Sequence, residues 1–346
     1  MMCCKLKTMS RFILKLFFVL IFLISVSATA QTVKLLNSGS KASLRGLSVV
    51  NDEVVWVSGS AGSVGRSLDG GATWTWITVK GFEKMDFRDI EAFDSKTAII
   101  MAIADPAYIL KTTDGGENWK VVFTDTTKGM FLDAMEFWNE QSGIVIGDPL
   151  GDKIFIARTF DGGETWRAIP VVNIPTVDKG EAFFASSGTN VRKLSEQEAV
   201  FVSGGLRARL FIRDKKIDLP ITQGKESTGA NSMAVKNKKC LVVVGGDFNA
   251  RDDTTKNCVI TNDGGKSFTA PVVGPHGYRS CVEYLGKKNW ISCGLNGVDY
   301  SNDEGQHWAW ISKDSFHAVR KAKKGKAVYF SGAGGRIGKL VLDETK

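Results

Sequence analysis

Apolar residues in this chain come in short runs, each closed by small or polar residues, and not at helical spacing. Val54-Val55-Trp56-Val57-Ser58-Gly59, Ala199-Val200-Phe201-Val202-Ser203-Gly204 and Ala327-Val328-Tyr329-Phe330-Ser331-Gly332 are representative. β-Branched and aromatic residues suit a pleated, half-buried surface, and the terminal glycine permits a tight reversal, so each run reads as a strand entering a turn. No window sustains a 3.6-residue period, and 37 glycines suit a fold rich in tight turns. The pattern predicts an all-β protein.

A phrase recurs between these strands. It reads Ser67-Leu68-Asp69-Gly70-Gly71-Ala72-Thr73-Trp74, then Thr112-Thr113-Asp114-Gly115-Gly116-Glu117-Asn118-Trp119, then Thr159-Phe160-Asp161-Gly162-Gly163-Glu164-Thr165-Trp166. Looser copies centre on Asp263 and Asp303. The spacing is 45 residues from Asp69 to Asp114 and 47 from Asp114 to Asp161, a period that signals a propeller or solenoid. In each copy the carboxylate can accept backbone N–H groups of its own turn, and the glycines supply left-handed positions. The tryptophan opens the next strand with a large ring to bury.

Parsed on this phrase, units begin near Leu44, Phe87, Phe131, Ala182, Gly229, Tyr278 and Phe316. The fourth has only a degraded turn, Arg213-Asp214-Lys215-Lys216, and the last has room for three strands. Thr32-Val33-Lys34-Leu35-Leu36 reads as an orphan strand that completes it, hiding the edges a propeller must not leave open. The expected architecture is a seven-bladed β-propeller of four-stranded blades over residues 31–346, with the N-terminal strand closing the last blade.

Residues 12–24 form an apolar stretch behind Lys5, Lys7 and Arg11, and Ser27-Ala28-Thr29-Ala30 offers a small-residue cleavage site. This is the pattern of a signal peptide over residues 1–30, cleaved near Ala30, which implies export to the periplasm or outside the cell. Its removal lowers the formal charge from +8 to +4, too diffuse a surplus to argue for nucleic acid, with no dense basic run except Lys321 to Lys326. No second apolar segment is long enough to span a bilayer, and a monomer is expected. Cys240, Cys258, Cys281 and Cys293 remain, compatible with disulfides or with buried thiols. Cys281 and Cys293 flank one hairpin turn, and Cys240 and Cys258 another.

In a four-stranded blade the innermost strand lines the central channel. The segment leading into it shares a face with the loop between strands two and three, whereas the Asp turns lie on the opposite rim. Aligned without gaps, the inner-strand starts place Arg45, Arg88, Arg279 and His317 in one column near the channel mouth, with Asp89 and Asp133 in the next. Loops on the same face add Asp148, Arg207, Arg209, Asp247, Arg251, Asp252, Asn296 and Arg336. Converging guanidiniums suit a carboxylate, phosphate or acidic peptide, while pairing with those aspartates would make the same residues structural.

The repeated phrase is the Asp-box (BNR repeat). Together with Asp86-Phe87-Arg88-Asp89-Ile90-Glu91-Ala92-Phe93, Phe131-Leu132-Asp133-Ala134-Met135-Glu136-Phe137-Trp138 and Ile146-Gly147-Asp148-Pro149, it resembles the photosystem II stability/assembly factor-related propellers. The resemblance implies an exported binding scaffold for a client protein, with Arg45, Arg88 and Arg279 matched to an arginine patch by position, and no process follows from it. A non-enzymatic scaffold for a protein or an anionic glycan or peptide is therefore the leading reading. The alternative is a carbohydrate-binding propeller or a sialidase-type glycoside hydrolase, the latter with Tyr278 as nucleophile beside Arg279. Against it stand the missing Arg-Ile-Pro phrase, the lack of an acid between Ser58 and Gly65, and the seventh blade. No dinucleotide-binding loop or metal spacing is present, and His276, His307 and His317 are scattered, so neither cofactor nor metal is expected.

Overall fold

A computed structural model describes residues 31–196 and 198–342. The leader predicted over residues 1–30 lies outside them, as do Cys3 and Cys4. From Thr32 to Val341 the chain builds a seven-bladed propeller of antiparallel sheets. The inner strands are Leu44–Val49, Phe87–Ala92, Leu132–Phe137, Val191–Ser195, Thr228–Val235, Cys281–Gly286 and Ala318–Lys321. Among the described residues no helix is long and apolar enough to cross a membrane.

Burial falls from hub to rim. The second strands Val55–Gly59 and Ala98–Ala102 are buried at every residue, because a neighbouring blade covers each face of the sheet. The outer strands Thr75–Thr78 and Lys120–Asp125 have no fully buried residue. That gradient explains why the second strand of each unit reads as a continuous apolar run and the fourth does not.

The Asp turns join strands three and four. Asp69 Oδ1 accepts from Ser67 Oγ at 2.8 Å and from the Thr73 amide at 2.9 Å, while Ser67 Oγ accepts the Gly71 amide at 2.8 Å. Asp114, Asp161, Asp263 and Asp303 repeat the arrangement. Hydrogen bonds from the residue four positions on hold Asp69, Asp114, Asp161 and Asp263 at about 2. The turns also clip blades together: Gly70 O accepts from Tyr329 of the last blade, and Gly162 O from Lys111 of the second.

In the last blade Ala318–Lys321, Val328–Ser331 and Ile337–Leu342 are completed by Gln31–Leu36. Two expectations need correction. The fourth blade starts its inner strand at Val191, not Ala182; Glu181–Ala182 instead pairs with Gly204–Gly205 at the edge of the fifth blade's sheet. In the fifth blade the outer strand shrinks to one bridge, Ile260 to Thr269. All four cysteines of the propeller are free and buried. Cys281 stands opposite Cys293, whereas Cys258 stands opposite Val244 rather than Cys240.

Candidate functional site

The mouth is made by a repeated irregularity. Register slips by one residue between Leu44 and Gly46, Phe87 and Asp89, Leu132 and Ala134, and Ala230 and Ser232. The extra residue of each bulge is Arg45, Arg88, Asp133 or Asn231, turned toward the channel beside its successor. Ser280 and His317 take the same level, their amides donating to the opposing second-strand carbonyls of Cys293 and Ser331. The ungapped alignment is therefore one residue out in two blades. Asp133 stands level with Arg45 and Arg88, and Arg279 falls in the buried column of Leu44 and Phe87.

Arg279 does not join the mouth. It is 0% exposed, its Nε and Nη2 engage the Asp299 carboxylate, and Nη1 donates to Asn296 Oδ1 and Tyr278 O. Asp299 is held from its other side by His276 Nδ1 at 2.6 Å. Arg45, Arg88 and His317 are brought together around a cavity of about 380 Å³, with Asp148, Phe131, Phe184, Phe248 and Tyr278.

Among the described residues Arg45 has no carboxylate partner; Nη1 approaches Ser186 O at 3.4 Å. Burial and the like charge of Arg88 lower its affinity for its proton. Arg88 pairs with Asp86 at 2.8 Å and lies over the Phe131 ring. His317 Nε2 is 3.4 Å from Ser43 Oγ, and burial with the two guanidiniums drives its pKa to about 3, so the ring is neutral at ordinary pH.

Two carboxyls lie close by. Burial pushes Asp148 up to about 6, although Oδ1 accepts the Phe183 amide at 2.8 Å. Asp133 is fully buried with no hydrogen-bond partner in good geometry, and burial plus Asp148 push it well above the carboxylate range. Tyr278 donates to Asn231 Oδ1 at 2.8 Å, and burial raises its pKa, so its oxygen is not poised as a nucleophile.

Asp89 lies deeper. Its oxygens accept the Ile90 and Met135 amides at 2.9 and 2.8 Å, and burial raises it to about 7 against the pull of Arg320. It faces a segment that sequence reasoning missed: residues 183–190 cross the hub before the fourth inner strand begins. Ser187 Oγ donates to Ser280 O, Thr189 Oγ1 to Ser232 Oγ, and Arg320 Nη2 to Ser187 O. This crossing divides the channel. The cavity behind it, about 340 Å³, holds Glu91, Glu136, Arg192, Glu283, Arg320 and Lys323. Arg192 pairs with Glu283 and Glu136, and Lys323 with Glu91. The overlooked signal was the small polar stretch Ser186-Ser187-Gly188-Thr189-Asn190, which suits a tight crossing but no strand.

Most of the remaining mouth-side loop groups neutralise one another. Arg207 pairs with Asp178 and Asp218 and Arg209 with Glu181, whereas Arg336 donates to Ser315 O and Oγ and forms no ion pair among the described residues. Of the two guanidiniums that line the mouth cavity, Arg45 is the one without a carboxylate partner among the described residues.

No family model and no curated protein sequence matches this chain. Solved structures do. A structure described as YCF48 bound to D1 peptide superposes at TM-score 0.64 with 16% identity, over 92% of this chain and 99% of that one. YCF48 from Cyanidioschyzon merolae gives 0.62 at 16% identity, over 89% and 98%. The WD40 β-propeller domain of Doa1 gives 0.63 at 13% identity, over 91% and 98%. At these identities the shared property is the propeller.

Proposed function

We propose that this protein is a non-enzymatic binding scaffold that holds a protein client by an anionic, partly apolar segment seated in the Arg45–Arg88 mouth. The observation that carries the reading is the pair of guanidiniums at one cavity, Arg45 without a counter-ion and His317 neutral. Like charges brought out of water are costly, and a carboxylate between them relieves the cost. The aromatic wall of Phe131, Phe184 and Phe248 adds apolar surface for the chain that carries that carboxylate. Asp148, whose pKa burial raises to about 6, can donate a proton to an oxygen of the same ligand only below about that pH. The peptide complex of one structural neighbour supports a protein client.

The reading assumes export through the leader predicted over residues 1–30, and Asp-box turns that brace the rim rather than bind. Capture from the cell envelope tests it. The wild-type chain retains a client that Arg45→Ala and Arg88→Ala each weaken by roughly 10- to 100-fold, the loss expected for one charge-assisted contact. Unchanged retention by both variants would overturn the mouth as the site. Turnover of a fluorogenic sialoside abolished by Tyr278→Phe would favour the hydrolase instead.

A further inference from the structure

The face opposite the arginine mouth carries its own charge pattern, invisible along the sequence because three separate turns build it. These turns join strands one and two of the fifth, sixth and seventh blades. They read Lys236-Asn237-Lys238-Lys239, Lys287-Lys288 and Ala322-Lys323-Lys324-Gly325-Lys326, and none contains an acid or an aromatic residue. Contacts fasten them side by side. Lys236 pairs with Glu304 of the sixth blade at 2.7 Å, and Lys321 Nζ donates to Leu285 O across the sixth and seventh at 2.9 Å.

Lys239, Lys287, Lys288, Lys324 and Lys326 are exposed and form no ion pair among the described residues. The equivalent turns of the first three blades carry Asp52 and Glu53, Asp94 balanced by Lys96, and Glu140. The three lysine turns therefore share a positive excess that the equivalent turns of the first three blades lack, although Asp263 and Asp303 of the Asp turns lie on the same face.

We propose that this lysine crescent docks the protein on an anionic phospholipid surface, leaving the arginine mouth on the far side. The choice of cation supports this partner. Lysine is a flexible, strongly hydrated point charge, suited to a diffuse layer of headgroups, and each one near such a surface adds attraction that salt screens. A nucleic acid strand would call for a groove with stacking rings, and the turns offer none.

Vesicle co-sedimentation of the purified protein at low salt tests the proposal. Vesicles with about a third phosphatidylglycerol are expected to retain roughly tenfold more protein than pure phosphatidylcholine vesicles, and added salt removes the difference. The triple variant Lys287→Glu, Lys288→Glu, Lys324→Glu is expected to lose that excess while keeping the wild-type Tm. Should it unfold, the neutral set Lys239→Gln, Lys288→Gln, Lys326→Gln decides, with a loss of several-fold expected. Equal retention on both vesicle types would overturn the proposal. So would wild-type retention by a folded variant, or tighter binding to duplex DNA than to anionic vesicles at matched salt.

Discussion

At the scale of single residues, the hub is distinguished by carboxyls held out of water. Asp89 has its pKa raised to about 7 by burial, so the folded state keeps a proton that the unfolded chain releases near 4. This contribution is fully present below about pH 4 and disappears as pH rises through 7. Asp89→Asn is therefore expected to flatten the fall in stability between about pH 4 and 7, worth at most about 4 kcal/mol, in urea titrations across that range. The rim carboxylates act in the opposite sense. Asp69, Asp114, Asp161 and Asp263 sit at about 2, so what they add is present above about pH 4 and lost as pH falls toward 2. Residue types at the mouth were legible in the sequence; their level was not. Arg45, Arg88 and His317 meet at one level, yet the third and sixth inner strands begin one residue later than the ungapped alignment has them, which puts Asp133 in their ring and Arg279 out of it. Side chains alternate faces along a strand, so a slip of one exchanges channel for core.

At the scale of elements, the segment over residues 183–190 is the departure with most consequence. Gly188 sits at φ +66°, and a Cβ there would overlap the Asp89 carboxyl. Gly151 has a similar φ, +72°, with open space around it. Gly188→Ala is expected to cost about 3 kcal/mol and Gly151→Ala about 1 kcal/mol, read from denaturant midpoints at constant slope. Equal costs would show that the crossing yields easily. The repeat phrase marked the turns of five blades clearly. It did not mark where the fourth blade begins, because the crossing moved that start from Ala182 to Val191 and borrowed Glu181–Ala182 for the neighbouring sheet.

At the scale of the whole molecule, ring closure depends on one strand from the far end of the chain. Gln31–Leu36 covers Ile337–Leu342, and Ser38 Oγ donates to Gly335 O at 2.5 Å just beyond it. Removing residues 32–36 exposes an unpaired edge, so the truncated chain is expected to melt at a lower temperature and to self-associate in size-exclusion chromatography. The two faces also separate by chemistry. Guanidiniums stand in a recessed mouth on one, and exposed lysines on turn tips on the other.

The sequence alone determined the strand content, the seven units, the closing strand and the turns that carry the aspartates, because each rests on pattern along the chain: short apolar runs, glycine placement and a recurring phrase at near-constant spacing. Tertiary structure decided which arginine stays unpaired, what crosses the hub and which lysines share a face. Those depend on bulges and on contacts between residues far apart in the chain, and spacing along the chain holds no record of either.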